Sequence, residues 1–157
     1  MNRQNVGSST RRYLWPMRIA IGSDHAGFAL KQQIISHLRA KGVVVQDHGT
    51  HTAESTDYPG YAHAVAEDVS GKTADLGIVI CGSGNGVNIT ANKHHGIRSA
   101  LAWNPEVAML ARQHNNANVL ALPARFVGMK EAEAIVDGFL AASFEGGRHQ
   151  RRVDAIE

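Results

Sequence analysis

The chain has 157 residues, of which 43% are hydrophobic and 19% charged, the size and make-up of one globular domain with a single core. A formal net charge of +2 excludes a molecule built as a whole to attract nucleic acid, and no apolar run approaches the ~20 residues that span a bilayer. The lone cysteine, Cys81, excludes an internal disulfide and fits a reducing compartment, so a cytoplasmic protein is expected.

Residues 1–16, "MNRQNVGSSTRRYLWP", are polar, lack acidic residues and end in Pro16. They are expected to be an accessory or disordered extension, with Met17 opening a domain over 17–157. "RIAIGS" (18–23) predicts a first strand, and the spacing of Phe28, Leu30, Ile34, Ile35 and Leu38 predicts a helix over 26–40 that ends near Gly42. A second strand is predicted at 43–49, a polar loop at "THTAESTDYPG" and a helix at "YAHAVAEDVSG". "LGIVIC" (76–81) predicts a third strand, followed by the turn "GSGNG" and a helix through Lys93. A fourth strand is predicted at 98–103, a helix from Pro105 to His114, a fifth strand at 118–124 and a helix at 130–144. Alternation of this kind predicts an α/β fold: a single doubly wound, Rossmann-like domain, a five-stranded parallel sheet with helices on both faces.

In open parallel sheets, ligands bind beyond the carboxyl ends of the strands. Ser23, Asp24 and His25 fall there after strand 1, Asp47 and His48 at the end of strand 2, Cys81 to Gly86 after strand 3, and Arg125 after strand 5. The glycine turn matches neither a P-loop nor a dinucleotide fingerprint: no G-x-x-x-x-G-K-[ST] occurs, and Val87 stands where the third fingerprint glycine belongs. A strand, a glycine turn and a helix start still present free amides to an anion, whether phosphate or enediolate.

Taken singly, these residues have bland readings. Cys81 is equally a small buried hydrophobe, although its place at the ligand edge and the amides that follow also suit a thiolate. Asp24 is equally an N-cap, His114 a cation at a helix C-terminus, and Tyr58 a turn residue packed on its own loop. In the tail "GGRHQRRVDAI", helical spacing would put Arg148 and Arg152 one turn apart with His149 beside them, either as a solvated face or as a forked clamp for one phosphate. Binding of RNA through this tail lacks the aromatic stacking surface expected of such modules.

"IGSDHAGFALK", "TDYP", "CGSGNG", "ANK", "GIR", "RQHNN", "NVLA" and "GGRHQRRV" occur in that order over residues 17–157. Together they resemble the sugar-phosphate isomerase family of type B ribose-5-phosphate isomerase and galactose-6-phosphate isomerase. The resemblance implies aldose–ketose isomerisation of ribose 5-phosphate and ribulose 5-phosphate without metal or organic cofactor. It implies Cys81 as the base at C2 and C1, and Ser83 as the group moving a proton between O1 and O2. His114 would open the furanose ring, and Asp24 would orient the sugar. Amides of Gly82, Gly84, Asn85 and Gly86 would hold the enediolate oxygen, and Tyr58 and Asn115 would line the sugar site. His25, Arg125, Arg148 and Arg152 would bind phosphate.

The resemblance also implies a site between subunits, with His114 and Arg125 supplied by the partner of the chain that supplies Cys81. A homodimer is then the minimum working unit, and a tetramer stays open. The partner is a small sugar phosphate, with no nucleic acid and no membrane. A family branch that replaces the cysteine by glycine carries a glutamate six residues on, where this chain has Val87, so the chain is expected to be a thiol-base member. Allose 6-phosphate, galactose 6-phosphate and tetrose phosphates are rival substrates. A noncatalytic sugar-phosphate sensor is disfavoured because both Cys81 and His114 are present.

Overall fold

A computed structural model describes residues 16–157. Residues 1–15, most of the expected extension, lie outside the described residues. Five strands, β1 (Arg18–Ser23), β2 (Val44–Asp47), β3 (Leu76–Cys81), β4 (Ser99–Leu101) and β5 (Val119–Pro123), form one parallel sheet in the order β2-β1-β3-β5-β4. Six helices flank it: α1 (Phe28–Ala40), α2 (Pro59–Ser70), α3 (Asn85–Ala91), α4 (Pro105–Asn115), α5 (Met129–Ala141) and α6 (Arg148–Asp154). The expected doubly wound α/β domain is the one observed. Among the described residues, no helix is long and apolar enough to cross a membrane.

Strand alternation divides the core into two unlike layers. Ile19, Ile21, Ile78, Ile80, Leu120 and Leu122 face α1 and α5, where they meet Ile34, Leu38, Ile135 and Phe139. The intervening residues Ala20, Val79, Cys81, Val119 and Ala121 face α2 and α3, against Val65, Val69 and Val87. Period-two side-chain alternation fixes this division, and register maintains it: Ile78 pairs with Ile21 on one side and Leu120 on the other. The smaller layer lets α2 approach closely. A Cβ built on Gly77 would lie 2.6 Å from Cγ1 of Val65, so glycine is required there. Cys81 belongs to this tight layer.

The boundaries differ from the sequence expectation where side chains or backbone intervene. The first helix is preceded by a 3-10 turn, His25–Gly27, because Asp24 Oδ1 accepts the N–H groups of Ala26 (3.0 Å) and Gly27 (3.2 Å). Helix α4, by contrast, starts at Pro105 as expected, with Asn104 Oδ1 capping Val107 N–H at 2.9 Å. Helix α5 stops at Ala141, short of the predicted 144, because Ala142 takes extended backbone (φ −83, ψ 153). Gly146 and Gly147, both at positive φ, then turn the chain into α6.

Candidate active site

β1 and β3 are neighbours, yet the chain leaves β1 towards β2 on one side while β5 and β4 lie on the other. Their carboxyl ends therefore flank a switch point, the place where an open α/β sheet leaves a crevice. Asp24 is buried there, and its N–H donates to Ile80 O at 3.3 Å, tying the β1 turn to the end of β3. The Nδ1 of His25 lies 3.2 Å from both the N–H and the carbonyl of Thr56, so the loop before α2 holds the ring in either tautomer.

That loop is anchored from below. The fully buried Lys31 donates from Nζ to both oxygens of Asp47 at 2.8 Å, and Asp47 Oδ1 also accepts Gly49 N–H at 2.8 Å. Burial pushes the Asp47 carboxyl up, but the Lys31 ammonium and the Gly49 N–H more than offset it and hold it below its ordinary value. Ser23 N–H then donates to Gly49 O, and Thr50 N–H to Ser23 O, both at 2.7 Å. Tyr61 hydroxyl meets Thr56 Oγ1 at 2.9 Å; hydrogen bonds from Thr50 and Thr56 hold the phenol below its ordinary range.

The glycine turn is packed from three directions. A Cβ on Gly86 would collide with the ring of Tyr58, so that ring rests on the start of α3 rather than on its own loop. Gly84 has φ +75, and a side chain there would strike Leu101. Arg125 donates its backbone N–H to Gly82 O at 3.0 Å, and a Cβ built on Gly82 would lie 3.0 Å from its Nη1. The expectation that Arg125 comes from the partner subunit is corrected here. It follows β5, which runs parallel beside β3, so its guanidinium reaches the turn of its own chain. Ser83 is exposed and its Oγ accepts Asn85 N–H at 3.3 Å. The N–H groups of Ser83 and Gly84 donate to no other described residue. Cys81, only 5% exposed, closes β3 directly beneath this turn.

His114, Asn115, Arg148 and Arg152 are elsewhere. Helices joining parallel strands run against them, so the C-terminal end of α4 stands at the amino edge of the sheet. The six residues of β3 put roughly 17–20 Å between the two edges. At that far edge His114 stacks on His149, with centroids 4.2 Å apart and planes 13° from parallel. Glu145 N–H donates to Gln113 O at 3.0 Å, fastening the turn before α6 to α4. Arg148 opens α6 and Arg152 follows one turn later. Burial, then the neighbouring His114 and Arg148, push the pKa of His149 below its ordinary value. Asn115 lines a cavity of about 730 Å³ at the same edge, together with Arg98 and Ile156.

One chain thus brings together Asp24, His25, Tyr58, the turn from Cys81 to Gly86, and Arg125; it brings together His114, Asn115, Arg148 and Arg152 separately. Tyr61 and Thr56 are additions to the residues the sequence marks as candidates, and His149 is more than a neighbour of the two arginines. Tyr61 lies three residues after Tyr58, about one helical turn on, and His149 sits inside the basic tail motif.

At the switch point a thiol, uncommitted amides, an imidazole and a guanidinium lie close together, groups whose chemistry suits a small anion. The model of the ribose/galactose isomerase family matches residues 19–156, and the chain belongs to that family. Among its relatives, ribose-5-phosphate isomerase B of Escherichia coli is 53% identical over 139 residues, covering 88% of this chain and 93% of the relative. The crystal structure of a ribose 5-phosphate isomerase from Thermotoga maritima superposes with a TM-score of 0.88 at 51% identity, covering 89% of this chain and 97% of that one. Ribose-5-phosphate isomerase B from Mycoplasma genitalium with bound ribulose-5-phosphate gives a TM-score of 0.86 at 50% identity, covering 89% and 93%.

Proposed function

We propose that the chain interconverts D-ribose 5-phosphate and D-ribulose 5-phosphate through an enediolate. The observation that carries this reading is the Cys81-to-Gly86 turn, where a sulfur at a strand end lies beneath uncommitted backbone donors and beside Arg125. His114 passes a proton between ring and hydroxyl oxygens to open the furanose. The Cys81 thiolate then takes the C2 proton, and the electron pair of that C–H bond moves to make the enediolate. Amides of the turn hold the negative oxygen, which is the step where preorganised donors contribute most. Ser83 moves a proton between O1 and O2, and Cys81 returns its proton to C1, so the reaction balances without an added reagent. Asp24 and Tyr58 orient the sugar, and His25 and Arg125 take the phosphate with Arg148 and Arg152.

The two residue sets stand at opposite edges of one sheet, so the working site requires a second copy. In a two-fold dimer the carboxyl edge of one protomer faces the amino edge of its partner, and two equal sites form. The test is a coupled assay of the purified chain on ribose 5-phosphate, allose 6-phosphate, galactose 6-phosphate and a tetrose phosphate. Highest kcat/KM on ribose 5-phosphate supports the proposal. Preference for another sugar replaces the substrate while keeping the chemistry, and turnover of none of them overturns it.

A further inference from the structure

His114, Glu145 and His149 each offer one ligand atom, and the three atoms lie within 4.8 Å of one another. Glu145 Oε2 is 3.8 Å from His149 Nε2, too long for a hydrogen bond. None of the three side chains donates to or accepts from another described residue through these atoms. Two imidazoles and a carboxylate, uncommitted and convergent, form a donor set that Zn²⁺ takes with a fourth position left for water. We propose that these three residues form a site for a divalent transition ion, Zn²⁺ fitting best, and that its occupancy inhibits the enzyme.

Geometry sets what must move. Ligand atoms about 2.0–2.1 Å from a tetrahedral ion stand roughly 3.3–3.5 Å apart, so the cluster closes by ~1.5 Å at most. His149 is buried and supplies the fixed point. Glu145 is exposed in the turn before α6, and His114 is half-buried, so both can swing. Because the stacked rings are nearly parallel, their lone pairs do not yet converge, and the His114 ring must rotate out of the stack to bind. Arg148, which opens α6 beside His149, opposes the added positive charge. The site is therefore a trap for excess metal rather than a seat for a resident cofactor.

Binding rests on this geometry alone, whereas inhibition rests on the reading of His114 as the ring-opening group. The test uses Co²⁺ as a spectroscopic probe and Zn²⁺ as competitor on the wild-type chain, C81A and E145Q. Wild type and C81A are expected to show the visible band of four-coordinate Co²⁺, bleached by Zn²⁺. E145Q is expected to bind Co²⁺ about tenfold more weakly, to isomerise normally without metal, and to need about tenfold more Zn²⁺ for half-inhibition. Equal Co²⁺ binding in wild type and E145Q overturns the site, as does a band lost in C81A, where the thiolate would be the ligand. A band that depends on Glu145 while Zn²⁺ inhibition does not, or a chain with no isomerase activity, leaves the site standing and sinks the role given to His114.

Discussion

The proposed half-site at the carboxyl edge is made of turns leaving strand ends, whereas the one proposed at the amino edge is made of helix ends. The first is fixed by backbone: Gly84 and Gly86 are required by Leu101 and Tyr58, Arg125 lies close against Gly82, and an ion pair between Lys31 and Asp47 anchors the loop above. The second is fixed by side chains, with His114 stacked on His149 and two arginines one turn apart on α6. The contrast suits the proposed division of labour. Stabilising an enediolate needs donors that do not move, while capturing a phosphate and opening a ring tolerate side chains that adjust.

Substitutions should separate the two halves. Cys81→Ala removes the proposed base and should lower kcat by roughly 10³-fold or more while circular dichroism and phosphate affinity stay near wild type. Near-normal turnover would dissolve the functional contrast. Replacing Arg148 and Arg152 by Ala should raise KM by about 10–100-fold with little change in unfolding temperature, since charge-assisted hydrogen bonds are worth about 1.5–3 kcal/mol. A loss confined to kcat would assign the arginines to the chemistry instead. Gly86→Ala forces the Tyr58 ring away and should cost about 1–3 kcal/mol of stability, seen in urea unfolding, along with a reduced kcat/KM.

Acid should act on the halves at different pH, the smallest of these effects. Asp47 has a depressed folded pKa, so its stabilisation is present above about pH 4 and is lost as pH falls through the folded value. His149 is also depressed, so the unfolded chain takes up its proton first, and stability begins to fall below about pH 6.5. Unfolding temperature measured from pH 8 to 3 should therefore drop in two stages, and His149→Gln should remove the upper one.

Much of the carboxyl edge was legible in the sequence. Strand, glycine turn and helix follow one another from Leu76 to Ala91, and local order alone puts Cys81 beside its amides. Arg125 was assigned to the edge by the strand rule but to the partner subunit by family resemblance; the parallel pairing of β5 with β3 places it in its own chain. The contact of Tyr58 with Gly86 spans 28 positions and is set by how tightly α2 packs on the small-residue layer, which no local pattern encodes. For a similar reason, helical spacing places His149 only beside Arg148 and Arg152. Its significance comes from stacking on His114, 35 residues earlier, and the basic tail drew attention to its arginines instead.

That two protomers complete each site can be tested by mixing inactive chains. Cys81→Ala and His114→Ala should each be inactive as homodimers, whereas a mixed dimer should contain one site with both groups intact. Unfolding and refolding the two variants together at equal amounts should restore about a quarter of wild-type activity, since about half the dimers are mixed and each has one working site of two. No recovery above the separate variants, with mixed dimers shown to form, would contradict the account.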